Sequence, residues 1–108
     1  KQWPESLMAS ANDWNMGPYG TMQGPNEFLY TGNLKDWNRI PDMHRLSMPT
    51  LIVTGTHDEI GPACAMKMDN VLPNSEVVVF PNSSHVPFYE EPQEYFRVLK
   101  QFLAKPGL

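Results

Sequence analysis

Residues 49–55 read PTLIVTG, a β-branched apolar run closed by a glycine, and residues 75–80 read SEVVVF, a second run of the same kind. Short, nearly continuous apolar runs are typical of strands buried on both faces of a parallel sheet. Between them, GPACAMKMDNVLP (residues 61–73) has Pro62 at a first helical position, apolar residues at helical spacing and Pro73 to stop the helix. The order of elements predicts a parallel α/β unit with a right-handed crossover.

A second helix is predicted from Pro92 onward. It carries Glu94 in its first turn, and its apolar side chains fall on one face: Tyr95, Val98, Leu99 and Phe102. Two strands are too few for a parallel sheet, because such sheets need both faces covered. We therefore expect the other strands to lie outside this sequence, whose first residue is not methionine.

The first 40 residues have a different character. They hold all three tryptophans and four of the seven glycines, with no continuous apolar face. This composition predicts a loop-rich region that would not fold alone, with short helices at residues 5–12 and 33–39. The change of pattern divides the chain into residues 1–40 and 41–108.

Composition limits the classes of function. Hydrophobic residues make up 41% of the chain and charged residues 19%, as in a globular protein. The formal charge of −4, without a basic stripe, argues against nucleic-acid binding and leaves room for a cationic substrate. A lone cysteine, Cys64, excludes an internal disulfide and favours a reducing, cytoplasmic compartment. The apolar runs are too short to span a membrane.

Ionisable residues follow both predicted strands. GTHDEI (residues 55–60) follows the first strand, and NSSH (residues 82–85) follows the second. Because neighbouring parallel strands end at the same edge of a sheet, we expect Asp58 and His85 to lie close together. A carboxylate that accepts the imidazole Nδ1–H stabilises the imidazolium, so the two residues could form an acid–base pair. Two alternatives remain: a solvated turn in which Asp58 caps the next helix, and an ordinary surface histidine.

No nucleophile accompanies this pair in the sequence. The G-x-S-x-G pattern of a nucleophile elbow does not occur, and Ser83 and Ser84 only neighbour His85 in a loop. Cys64 reads as a small core residue. His57, Asp58, Glu59 and His85 lack a metal-ligand spacing, so we expect neither a metal nor a cofactor. Glu90 and Glu91 read as a solvated loop end.

Four separated segments resemble one known family. MQGPNEF, TGNLKDW, PTLIVTGTHDEIGPACA and NSSHVPFYEEP, in this order, are similar to the proline iminopeptidases and related amino-acid amidases, which are serine hydrolases of the α/β-hydrolase fold. The resemblance runs from about Met22 to Leu103. It implies that residues 41–108 are a C-terminal part of the hydrolase core, with its last two strands, and that residues 1–40 are the end of a helical cap.

The resemblance also assigns roles. It implies that Asp58 is the triad acid, that His85 is the general base, and that Glu59 and the cap residue Glu27 hold the free α-amino group of a short peptide or amino-acid amide. The serine would lie upstream, in the other half of the same protein, so this chain alone should be inactive. Two alternatives stay open: another α/β-hydrolase, such as an esterase, epoxide hydrolase or dehalogenase, and a non-catalytic fragment that needs a partner chain.

Overall fold

The computed structural model describes residues 3–106. The chain divides into two compact units, one ending at Asn38 and one starting at Arg39. The boundary predicted from the sequence, after residue 40, lies close to this division. The assignment of the first unit to a cap domain stays a prediction, and residues 1–2 and 107–108 of the predicted domains lie outside the described residues.

The first unit contains two short helices, α1 (Glu5–Asn12) and α2 (Met16–Met22). The helix predicted at residues 5–12 is confirmed, whereas α2, capped by the Asn15 side chain on the Gly17 N–H at 3.1 Å, was not predicted. The helix predicted at residues 33–39 is wrong. The N–H groups of Asn33 and Leu34 donate to the carbonyls of Thr21 and Met22, at 3.1 and 2.8 Å. The rest of the segment forms turns, as from the Trp37 N–H to the Leu34 carbonyl at 2.9 Å.

The second unit begins with a 3₁₀ helix (Ile40–Arg45) and continues with alternating strands and helices. These are β1 (Thr50–Gly55), α3 (Gly61–Asp69), β2 (Ser75–Phe80), α4 (Pro87–Glu90) and α5 (Pro92–Leu103). Both predicted strands and both predicted helices are therefore present. Helix α3 ends four residues before Pro73. Between Trp3 and Pro106, no helix is both long enough and apolar enough to cross a bilayer.

Strands β1 and β2 pair in parallel, from Thr50 opposite Ser75 to Gly55 opposite Phe80. Helix α3 packs against both strands, and the buried side chains of Ile52, Ala65 and Leu72 form the core between them. The expectation of strands buried on both faces is wrong for β2 within this chain, because Val79 is 36% exposed. The sheet therefore has one face covered by α3 and one that is only partly covered.

Helix α5 is held to the end of β2 by aromatic contacts. Val98 is buried, and the Tyr95 ring lies 5.9 Å from the ring of Phe80 and 6.1 Å from that of Phe88. Phe80 is the last residue of β2 and is 1% exposed. The aromatic cluster thus anchors the segment between β2 and α5, which carries His85.

The end of β1 touches the loop of residues 81–86, here named the histidine loop. A Cβ atom added at Gly55 would overlap the carbonyl oxygens of both Ser83 and Ser84. Backbone hydrogen bonds continue the contact: the Thr56 N–H donates to the Phe80 carbonyl and the His57 N–H to the Ser83 carbonyl, each at 3.0 Å. Only a residue without a side chain permits this approach.

The substitution Gly55→Ala should therefore destabilise the protein. The new methyl group meets backbone atoms that cannot rotate away, and overpacking of this kind costs roughly 1–3 kcal/mol or more. Urea unfolding measures the change. Gly20→Ala is the matched control, because a Cβ at Gly20, inside α2, meets no atom within 4 Å and should stabilise the protein by about 0.5–1 kcal/mol. Equal stability of Gly55→Ala and the unsubstituted protein would contradict the described contact.

Candidate active site

Asp58 is fixed in the turn that follows β1. Its backbone N–H donates to the Gly55 carbonyl at 3.3 Å, and its Oδ1 accepts the Ile60 N–H at 2.9 Å. The side chain is only 11% exposed. A carboxylate that caps the turn ahead of α3 has little freedom to rotate, so its orientation is set before any partner arrives.

His85 lies beside this carboxylate. Its Nδ1 is 3.2 Å from Asp58 Oδ2 and 3.3 Å from Oδ1. A carboxylate can only accept, so Nδ1 carries the hydrogen and donates it, which leaves Nε2 as the nitrogen able to take up a proton. The imidazole is 54% exposed. The structure thus brings together the two residues expected at one edge of the sheet, in the geometry of an oriented base.

Glu59 lies next to the pair. Its Oε1 is 3.8 Å from His85 Nδ1, and its side chain is 53% exposed. One ligand atom from each of Asp58, Glu59 and His85 falls within 4.8 Å of the others, a spacing at which three groups could share a cation. Exposed acidic groups often meet in this way without an ion, and the expectation of no metal here stays a prediction. The group concentrates negative charge beside an accessible imidazole.

Glu27, the fourth candidate residue, belongs to the first unit. It is exposed in the turn between Asn26 and Leu29, which form a single antiparallel bridge. Its carboxylate accepts from the Tyr19 hydroxyl. Partial burial, and then this hydrogen bond, raise the pKa of Tyr19. The carboxylate is therefore tied to its own unit by a tyrosine, and its predicted contact with a substrate amine stays a prediction.

Glu90 and Glu91 were expected to be a solvated loop end; Glu90 is exposed and Glu91 is half-buried, but both carboxylates bind the histidine loop, which was not expected. The Glu91 carboxylate accepts from Ser83 Oγ at 2.6 Å, and the Glu90 carboxylate accepts from Ser84 Oγ at 3.0 Å. The hydroxyls of both serines are thus engaged by acidic residues, and neither has the setting of a nucleophile. Cys64 is only half-buried in α3 and lies outside the described core cluster, where Ala65 takes the position expected for it.

Comparison with known proteins identifies the class. Residues 3–92 match the family model of the α/β-hydrolase fold, so the chain belongs to this family. Its two parallel strands and their helices match a C-terminal part of that fold, as the resemblance implied.

Two curated relatives that match most of this chain are both named proline iminopeptidase. The chain is 37% identical to the proline iminopeptidase of Thermoplasma volcanium over 97% of its own length and 36% of the relative's. It is 35% identical to that of Lactobacillus acidophilus over 95% of its length and 35% of the relative's. The similarity to proline iminopeptidases, first seen in four short segments, is confirmed. The chain spans about a third of the length of these curated relatives.

Solved structures extend the similarity to three dimensions. The crystal structure of a proline iminopeptidase from Mycobacterium smegmatis superposes with a TM-score of 0.84 at 35% identity, covering 94% of this chain and 34% of that one. The crystal structure of VinJ superposes with a TM-score of 0.85 at 36% identity, covering 94% of this chain and 35% of that one.

The hydrogen bonds to Glu91 make the stability of the protein sensitive to acid. The bond from Ser83, together with those from Asn82, lowers the pKa of the Glu91 carboxyl below the ordinary value for glutamate. Its contribution to stability is therefore fully present above the unfolded-state pKa of about 4.3 and is lost as the pH falls through the lower folded-state pKa. We expect the unfolding free energy to decline less steeply below about pH 4.3 in Glu91→Gln than in the unsubstituted protein. Urea unfolding across this range measures both slopes, and identical slopes would contradict the assignment.

Proposed function

We propose that the protein is a serine hydrolase of the aminopeptidase type, which releases an N-terminal residue such as proline from short peptides or amino-acid amides. The observation that carries the proposal is the 3.2 Å approach of His85 Nδ1 to Asp58 Oδ2, beyond the ends of two adjacent parallel strands. The substrate class is supported by relatives named proline iminopeptidase, with which the chain shares more than a third of its residues over most of its length.

The proposed mechanism uses the two ring nitrogens of His85 differently. Nδ1–H donates to Asp58, and Nε2 takes the proton of a serine hydroxyl supplied from outside these 108 residues. The serine oxygen attacks the carbonyl carbon, and the imidazolium then gives its proton to the leaving amine as the carbon–nitrogen bond breaks. Water, deprotonated by the same Nε2, hydrolyses the acyl-enzyme. Asp58 is suited to its part because the Ile60 N–H fixes its carboxylate.

The preference for a free amine would come from carboxylates. Glu59 lies beside the acid–base pair with half of its side chain exposed, so it can meet a charged ligand. A bound ammonium loses its water, and the charge-assisted hydrogen bonds that it would donate to the carboxylates of Glu59 and Glu27 would replace that hydration. A site that requires a charged amine rejects internal peptide positions, and this restriction makes the enzyme an exopeptidase.

Removal of either member of the pair should abolish catalysis. In the complete protein that contains this chain, His85→Ala is expected to lower kcat for prolyl p-nitroanilide by about 10⁶-fold, because the base is lost. Asp58→Asn is expected to lower it by about 10⁴-fold, because the base is held in the wrong tautomer. Release of nitroaniline measures the rate. His44→Ala, which changes a histidine in the 3₁₀ helix, is the control and should keep the original rate. A His85→Ala enzyme of undiminished kcat would refute the proposal.

Substitution of the acidic residues separates aminopeptidase from esterase chemistry. Glu59→Gln and Glu27→Gln should each lower kcat/KM for prolyl p-nitroanilide by roughly 10–100-fold, since a hydrogen bond to a charged group contributes about 1.5–3 kcal/mol. The control is Glu5→Gln, in the first turn of α1. An enzyme that hydrolyses N-acetylated substrates equally well, and that keeps its kcat/KM in both variants, would instead be an esterase or another hydrolase of the family.

A further inference from the structure

The histidine loop is held by two acidic side chains that are adjacent in the sequence. Glu91 Oε2 accepts from the Asn82 N–H at 3.0 Å and from Ser83 Oγ at 2.6 Å, while Oε1 accepts from Asn82 Nδ2 at 3.3 Å. Ser83 is fully buried. One carboxylate thus satisfies three donors at the start of the loop, in bonds that are strengthened by its charge.

Glu90 makes a matching set of bonds further along the loop. Its Oε2 accepts from the Ser84 N–H at 2.7 Å and from the Val86 N–H at 3.3 Å, and its Oε1 accepts from Ser84 Oγ at 3.0 Å. Ser84 and Val86 are the two neighbours of His85. The backbone on both sides of the imidazole is therefore tied to one carboxylate.

Neither carboxylate caps α5. Glu91 occupies the residue that precedes α5 and makes no capping hydrogen bond to that helix, and Glu90 accepts from the N–H of Val86, the residue that precedes α4. Glu90 ends α4 and reaches four to six residues back along the chain. If these residues served only to start α5, their carboxylate oxygens would accept from N–H groups of that helix. They accept instead from donors of the histidine loop.

We propose that Glu90 and Glu91, here named the carboxylate clamp, are positioning residues for His85. The inference rests on the proposed role of His85 as general base. The clamp fixes the backbone at residues 82, 84 and 86, while Gly55 fixes the other side of the same loop through the Ser83 and Ser84 carbonyls. Held between the two, the imidazole stays within reach of Asp58, and a displacement of about 1 Å in such a site can cost 10²-fold in rate.

The geometry distinguishes substitutions that keep the bonds from those that lose them. In Glu91→Gln the amide oxygen can accept from Asn82 and Ser83 in the place of Oε2, and the new NH₂ can donate to the Asn82 amide once that amide turns over. In Glu90→Gln the oxygen can accept both N–H groups, and the NH₂ can donate to Ser84 Oγ. Alanine removes every acceptor, and Glu91→Asp keeps the charge but shortens the reach by one methylene.

The kinetic test uses the complete protein and prolyl p-nitroanilide. Glu90→Ala, Glu91→Ala and Glu91→Asp should each lower kcat about tenfold or more with KM changed by less than about twofold, because binding groups are untouched while the base is misplaced. Both glutamine variants should stay within about threefold of the original kcat. Glu94→Ala is the matched control: this acidic residue lies in the first turn of α5, three residues after Glu91, but its carboxylate accepts from Arg97 Nε at 2.7 Å. Alanine variants that keep kcat while the thermal midpoint alone falls would overturn the proposal.

A second measurement is independent of activity. Amide hydrogen exchange of a peptide covering residues 81–86 should accelerate in Glu90→Ala and Glu91→Ala, stay near the original rate in the glutamine variants, and be unchanged in Glu94→Ala. If the complete protein hydrolyses no aminoacyl amide, the proposed function fails, but exchange still tests the clamp. Unchanged protection of this peptide in the alanine variants would overturn it. Should an alanine variant not fold, Glu91→Asp takes its place in both measurements.

Discussion

The contact between Gly55 and the carbonyls of Ser83 and Ser84 is the constraint on which the site depends. It brings the end of β1 directly against the backbone of the histidine loop, and hydrogen bonds from the N–H groups of Thr56 and His57 extend this contact. Asp58 follows β1 on one side of this contact, and His85 lies in the histidine loop on the other side. A side chain at residue 55 would force the end of β1 and the histidine loop apart, and the carboxylate and the imidazole would separate with them.

Strands β1 and β2 and helix α5 could be predicted because their sequence patterns are local and clear. PTLIVTG and SEVVVF are short apolar runs bounded by glycine or proline, and α5 shows one clear apolar face with Val98 at its buried centre. The meeting of Asp58 and His85 followed from topology, since parallel strands joined by one helix must end at the same edge. Residues 27 positions apart could thus be placed together without a contact being seen.

The features that escaped prediction are decided by hydrogen bonds that the sequence pattern does not show. Residues 33–39 have helix-compatible side chains, but the N–H groups of Asn33 and Leu34 bond to the carbonyls of Thr21 and Met22. Glu90 and Glu91 look like any charged pair before a proline, because nothing in their spacing shows that the donors of residues 82–86 lie opposite. Helix α2 has three residues of low helix propensity, Gly17, Pro18 and Gly20, and forms nonetheless behind its Asn15 cap.

The hydrogen bonds of the carboxylate clamp and the bond between His85 and Asp58 close loops of different lengths, so their costs in chain entropy differ. The clamp bonds join residues four to nine positions apart, whereas the bond from His85 to Asp58 closes a loop of 27 residues. Closure of the longer loop costs about 1 kcal/mol more than closure of the shorter one, on a logarithmic dependence on length. Because the carboxylate clamp holds the histidine loop, fewer backbone torsions remain to be fixed when His85 bonds to Asp58. The imidazole therefore belongs to a segment held by short-range bonds, and its bond to Asp58 closes the longer loop at the larger chain-entropy cost.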